Sequence, residues 1–441
     1  MYSFAIYLYM LAVGIAAIFS KRARKLAIGH QYAFVRLKRL VDKNEQYIWF
    51  HAASLGEFEQ GRPLMERLRR EHPEYKILLT FFSPSGYEVR KDWEGADIVC
   101  YLPLDTPTNV RIFFHYVQPK MLFLIKYEFW HNYLKICKRR GIPVYSVSSI
   151  FRPNQVFFRW YGRLGGYRRV LGYITHFFVQ NQQSKDLLAT LGHTDNVTIV
   201  GDTRFDRVLD IRRAAKPLPL VEKFAADHTV FVAGSSWPPD EALFIPWFKR
   251  SGGQGFNPQP STLSPQPSAR PKGTLEPSRT LSPLRLIIAP HQIGEDHLRA
   301  IEQALDGCRV LRYSQATEEN VATADVLIID CFGLLSSIYR YGQLAMVGGG
   351  FGVGIHNIPE AAVYGIPVII GPNNQNFREA RYLLDAGACF EVHDASEFNH
   401  IADHLLTDAE AYRTAAEAAR SYIAENSGAT DIIYSQTFPQ Q

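Results

Sequence analysis

The chain has 441 residues, more than a single hydrophobic core sustains, so two domains are expected. A hydrophobic content of 46% with 13% aromatics excludes a disordered chain, and a net charge of +5 is too mild to define a partner except through its placement. Five cysteines, an odd number with no Cys-x-x-Cys pair, argue against a disulfide scaffold or a zinc site and for reduced thiols in a cytosolic setting.

Residues 1–20, "MYSFAIYLYMLAVGIAAIFS", carry no charge. At 1.5 Å per residue such a helix is roughly 30 Å long, the thickness of a bilayer core. "KRARK" follows at once, whereas a cleaved leader would carry its charge ahead of the apolar run. The positive-inside rule then predicts a single-pass anchor with the rest of the chain on the cytoplasmic side. Between Lys21 and Leu40 there are seven Lys or Arg and no acid, interleaved with Tyr32, Phe34, Leu37 and Leu40. That pattern fits either a topology signal with a solvated helix face or a juxtamembrane patch gripping anionic headgroups. Because the basic residues cluster there and no recognition motif appears, nucleic acid is not an expected partner.

From about Gln46 to Gly201, short apolar runs alternate with helical stretches: "YIWFHAA", "YKILLTFFS", "ADIVCYLP", "KMLFLIK", "IPVYSVSS", "HFFVQ" and "VTIVGD". Continuous rather than alternating apolar character predicts buried parallel strands. The first run ends in "HAASLGE". Ser54-x-x-Glu57 there reads as a capping box, although a carboxylate at such a strand end is equally placed for reaction chemistry. A charged, proline-containing stretch near 210–219 marks the linker.

A second series follows: "TVFVAGSS", "LRLIIAP", "CRVLRY", "ADVLIID", "LAMVGGG" and "IPVIIGP". Two such series predict an α/β protein of two Rossmann-like domains facing a cleft, with ligands at the C-terminal strand ends. The expected division is 21–210, 220–425 and a C-terminal tail, 426–441. Ser251 to Pro283 is rich in Pro, Ser and Gly and reads as a disordered insertion. The strongest local signal is "MVGGGFGVGIHNIPEAAVYGIPVIIGP". Gly349 and Gly350 lie in a turn able to close backbone N–H groups on a phosphate, and a helix starting near Pro359 would add its positive end. Glu360 in its first turn suits ribose hydroxyls.

The pattern "HN-x-x-E-A-A-x-x-G-x-P-V-I" resembles the nucleotide-sugar site of glycosyltransferases of the GT-B fold. Taken with "HAASLGE", "YEFWHN", "PVYSVSS", "FVQNQQS", "VGDTRFDRV", "VAGSSWPPDE", "APHQ" and "GPNNQNFREA", nearly the whole chain resembles the 3-deoxy-D-manno-octulosonic acid (Kdo) transferases of lipopolysaccharide assembly. The resemblance implies transfer of Kdo from CMP-Kdo to a lipid A precursor at the inner membrane, with inversion at the anomeric carbon and no metal or other cofactor. It implies Glu57 as general base, Ser54 and Gly56 shaping the sugar pocket, and Glu128 as a second acid. The bland alternative for Glu128 is an ion pair with Lys126. Ser235 and Ser236 would contact phosphate or the Kdo carboxylate, or merely cap a helix. Asn357 and Glu360 would hold CMP, with Asn376 beside them. His291 stands where the family usually has Arg, Lys126 where it has Glu, and Gly333-Leu334-Leu335 where it has Gly-Glu-Leu. A UDP-sugar transferase acting on a lipid is the alternative, as are an epimerase and a non-catalytic sensor; the apolar N-terminus and the paired carboxylates disfavour the last two.

Overall fold

The computed structural model describes residues 2–163, 167–252, 283–352, 354–375 and 377–438. It divides into a first unit, Met1–Arg207 with Asn426–Gln441, and a second, Val208–Glu425. The insertion expected at 251–283 lies, except at its ends, outside the described residues.

In the first unit, β1 (Gln46–Ala52), β2 (Tyr75–Phe81), β3 (Ile98–Tyr101), β4 (Pro119–Ile125), β5 (Val144–Ser149), β6 (His176–Val179) and β7 (Val197–Ile199) form a seven-stranded sheet in the order β3-β2-β1-β4-β5-β6-β7. Neighbours are parallel throughout. Strands buried on both faces explain their unbroken apolar character. One face packs Trp49, Phe113, Tyr133 and Phe177; the other packs Phe50, Phe58, Phe123 and Phe178. The last residues, set apart above as a tail, form a helix, Ala429–Thr437, that returns to this unit. It buries Ala429 and Ile433 in the second of those clusters. Asp206 clamps its start, accepting from the backbone N–H of Gly428 and Thr430 and from the Thr430 hydroxyl.

In the second unit, β8 (Thr229–Ser236), β9 (Leu284–Pro290), β10 (Val310–Arg312), β11 (Val326–Ile328), β12 (Leu344–Val347), β13 (Val368–Ile370) and β14 (Cys389–Glu391) give another seven-stranded parallel sheet, ordered β10-β11-β9-β8-β12-β13-β14. Strand β14 was not expected, because three residues with one acid offer no pattern to read.

Each sheet has a switch point at which successive strands pass to the other side of the first strand, between β1 and β4 in the first unit and between β8 and β12 in the second. Helices following the two strands leave on opposite faces there, so a crevice opens at their carboxyl ends.

At the N-terminus, α1 (Tyr2–Phe19) and α2 (Lys21–Leu40) meet at Ser20, whose hydroxyl caps α2 by accepting from the Ala23 N–H. The long apolar helix is the only described one with the length and composition to cross a membrane. Helix α2 buries His30, Ala33 and Leu37, spaced along one face, and leaves its basic residues exposed except Arg36, which is half-buried and donates to the Tyr87 hydroxyl.

Candidate active site

Glu57 and Glu128 follow β1 and β4, the two strands that flank the reversal in the first unit. Glu57 lies in the first turn of α3 (Leu55–Glu71) and is buried to 8% exposure. Only half of the expected capping box forms. Ser54 stands at the N-cap but its hydroxyl makes no capping bond, while the Glu57 carboxylate reaches back to the N–H of Ala53 at 2.5 Å and to that of Ser54. The Ser54 hydroxyl is therefore left over from the cap, and Gly56 is exposed with open space where a side chain would point.

Glu128 is positioned by a different device. Lys126, just past β4, is held at φ +63°, a conformation costly for a side chain. Its carbonyl accepts from the hydroxyls of Ser146 and Ser149 on β5, at 2.9 and 2.6 Å. The serines of "PVYSVSS" thus fix the turn that presents Glu128.

The two carboxyls are close enough to oppose one another but differ in surroundings. Burial raises the Glu128 pKa to about 7, and the Glu57 charge adds to that. Burial also raises Glu57, but its backbone donors and the Lys126 ammonium pull it back. Lys126 acts on Glu57, so the simple ion pair between Lys126 and Glu128 is not the arrangement found.

His51, which the sequence reading passed over, completes the group. It is fully buried, and its Nδ1 lies 3.1 Å from the Thr80 carbonyl oxygen and 2.9 Å from the Thr80 hydroxyl. A carbonyl only accepts, so Nδ1 carries the proton and Nε2 presents a lone pair. Burial pushes the imidazole down to about 3, keeping it neutral. Nε2 has no hydrogen-bond partner and sits 4.0 Å from the Glu128 carboxylate oxygen. A bare lone pair facing a carboxyl favours the protonated acid there over the anion. The two carboxyls thus sit in unequal surroundings, Glu57 with backbone donors and an ammonium that favour its charge and Glu128 without them, the kind of difference on which acid–base sites are built.

The second unit also has a switch point, between β8 and β12, although its strand order differs because β11 inserts between β10 and β9. Ser235 and Ser236 end β8, and Gly348–Gly350 follow β12. Ser235 takes φ +53°. Ser236 is buried and donates to Glu241 at 2.9 Å, a structural bond that also orients His297 on the far carboxylate oxygen. Gly349, at φ +92°, gives its N–H to Asp240 at 2.9 Å, and the same Asp240 oxygen accepts from the Trp237 N–H. A carboxylate of the chain therefore already occupies part of the turn that the sequence assigns to phosphate. Gly350 packs directly on Gly371, where an added Cβ would come within 2.6 Å of backbone. The helix expected after Asn357 is a single turn, Pro359–Ala362, too short for an appreciable dipole. Asn357 nonetheless meets Glu360, its amide donating to the carboxylate at 2.8 Å. His291 stacks between Trp237 and His356, with ring centroids at 4.6 and 4.5 Å. Asn376 lies outside the described residues. Trp237 and Asp240, both within "SSWPPDE", are the contributors missed here; the tryptophan beside a double proline was their one visible signal.

A family model described as 3-deoxy-D-manno-octulosonic-acid transferase (kdotransferase) matches residues 28–207. A 3-deoxy-D-manno-octulosonic acid transferase of Aquifex aeolicus is 28% identical over 79% of this chain and 83% of its own. One from Bordetella pertussis is 29% identical over 87% of this chain and 85% of its own. Among solved structures, a UDP-GlcNAc 2-epimerase from Neisseria meningitidis bound to UDP-GlcNAc shares the fold, with a TM-score of 0.57 at 14% identity over 90% of this chain and all of that one. With two parallel Rossmann-like sheets of the GT-B type and this run of relatives, the chain is similar over most of its length to the 3-deoxy-D-manno-octulosonic acid transferases, a group of glycosyltransferases.

Proposed function

We propose that this protein transfers Kdo from CMP-Kdo to a lipid A precursor of the lipid IVA type at the cytoplasmic face of the inner membrane, with inversion at the anomeric carbon. The observation that carries this reading is the unequal pair Glu57 and Glu128 at the strand-order reversal of a chain similar to these transferases. Glu57, held by backbone N–H groups and near Lys126, takes the proton from the attacking acceptor hydroxyl. Ser54 and Gly56 leave room beside it for a bulky sugar. Glu128 in its acid form adds no second negative charge beside Glu57 and keeps a proton to donate in a hydrogen bond.

The donor belongs to the second unit. Asn357 and Glu360 form a coupled amide and carboxylate suited to ribose hydroxyls. Because Asp240 takes the Gly349 N–H, the phosphate falls to Gly350, to the Ser235 and Ser236 turn, and to His291, whose stacked ring replaces the family's arginine. CMP leaves with modest charge, and backbone donors with an imidazole are sufficient to stabilise it. The test is transfer to a tetra-acylated lipid A precursor in detergent, with CMP and UDP as competitors. Inhibition by CMP alone supports the reading; inhibition by UDP alone replaces it with a UDP-sugar transferase.

A further inference from the structure

Helix α1 has the composition of a membrane span, but its start and its middle are fastened to the body of the first unit. At its start, the Tyr2 hydroxyl donates to the Asp105 carboxylate at 2.7 Å, and the Tyr2 ring packs on His131 at 5.2 Å. The Asn132 amide reaches the Ser3 hydroxyl at 3.4 Å. Midway, Tyr9 stacks on Phe82 at 6.3 Å. At its end, Arg24 from α2 donates to the carbonyls of Ala17 and Ile18, at 3.1 and 3.2 Å. A span of 18 residues must separate its ends by about 27 Å across the bilayer. Here the N-terminal end, which a span would carry to the far side, returns to the same unit that the C-terminal end leads into.

We infer that α1 does not cross the membrane but lies along its surface, with its outer faces sunk into the acyl region of one leaflet. The exposed side chains fit that occupant: Phe4 at 68%, Leu8, Leu11 at 61%, Ile15, Ile18 at 67% and Phe19 at 84%. Ile6 alone is buried, so most of the helix circumference lacks a protein partner. Ile28, Tyr32 and Val35 extend the apolar surface along α2. The charges fit too. Lys21 and Arg22 lie exposed at the bend between the helices, where they reach the anionic headgroups of the leaflet that takes α1. Exposed Trp160, Tyr161 and Tyr167, the last a neighbour of Tyr2, supply aromatic rings of the kind that sit at a bilayer interface.

The placement has a consequence for the reaction. Tyr9 stacks on Phe82, and Phe82 stacks on Trp130 at 4.9 Å, two residues from Glu128. A helix lying in the leaflet thus borders the carboxyl pair, and a lipid acceptor reaches it without leaving the membrane surface.

The inference rests on the proposed membrane attachment, and one experiment separates the two. Nitroxide labels are placed singly at Phe4→Cys, Leu11→Cys and Ile18→Cys of the full chain, three positions on one helix face about 10 Å apart. Depth is read by oxygen and nickel collision rates in vesicles containing phosphatidylglycerol. Equal, shallow depths at all three are expected. A profile with Leu11 deepest and the other two near opposite surfaces overturns the in-plane helix and restores the span. Labels that stay water-exposed, with the chain free of vesicles, overturn the membrane attachment itself.

Discussion

Glu57 and Glu128 have the same side chain and reach different chemistry through their neighbours. The Glu57 carboxylate is bonded to backbone N–H groups that favour its charge, while Glu128 faces the Glu57 charge and the lone pair of His51. The difference predicts a pH signature. The Glu128 pKa stands at about 7 in the folded protein against 4.5 as a free side chain, so the folded state binds that proton more tightly. Stability is then fullest below 4.5 and declines as pH rises through about 7. Glu128→Gln removes the decline, so the variant gains on the order of 2 kcal/mol over the parent at pH 8 and almost nothing at pH 4. Urea denaturation at the two pH values checks it; an equal gain at both assigns the effect to packing. His51→Phe removes the acceptor for the acid form and is expected to move the alkaline limb of kcat/KM to lower pH by roughly one unit. A pH–rate profile of that variant shows whether the limb moves.

At the scale of elements, the turns that hold the site are more informative than the strands that lead to them. Ser146 and Ser149 act through one carbonyl, that of Lys126, and so set where Glu128 points. Replacing both with Ala is expected to lower kcat about ten-fold through misplacement of the acid, with a stability loss of about 1–2 kcal/mol. Steady-state kinetics beside a thermal melt separates the two effects. In the glycine turn, Gly350→Ala would drive a Cβ into the Gly371 backbone and is expected to cost about 2–4 kcal/mol, read by urea denaturation. The strands themselves were legible because a buried parallel sheet writes each one as a continuous apolar run; β14 escaped because Cys389-Phe390-Glu391 carries no such run. Local chemistry was legible only in part. Ser54-x-x-Glu57 announced a reciprocal cap, but the hydroxyl half does not form, since a cap depends on backbone geometry that spacing alone does not set. His51 was hidden for a related reason: a histidine inside a strand looks like any other core residue until its neighbour across the sheet, Thr80, fixes its tautomer.

Across the whole molecule, two units repeat one design, with candidate groups at the strand ends where sheet order reverses. That repetition explains why positions as distant in sequence as Glu57 and Glu128, or Ser235 and Gly349, come together in pairs. The chain also returns at its end to the unit in which it began, and Asp206 fastens that return. Asp206→Ala is expected to destabilise the first unit by about 2–3 kcal/mol and to open the helix Ala429–Thr437 to proteolysis, visible as early loss of the C-terminal segment. The central claim, that this fold holds a base for Kdo transfer, is tested most directly by Glu57→Gln. Gln can still occupy the first turn of α3 but cannot take up a proton. Transfer from CMP-Kdo to a tetra-acylated lipid A precursor is measured with thermal melting alongside. The prediction is a loss of about two to four decades in rate with a melt like the parent's. Transfer that survives within a few-fold would contradict it, leaving Glu57 as a helix cap alone.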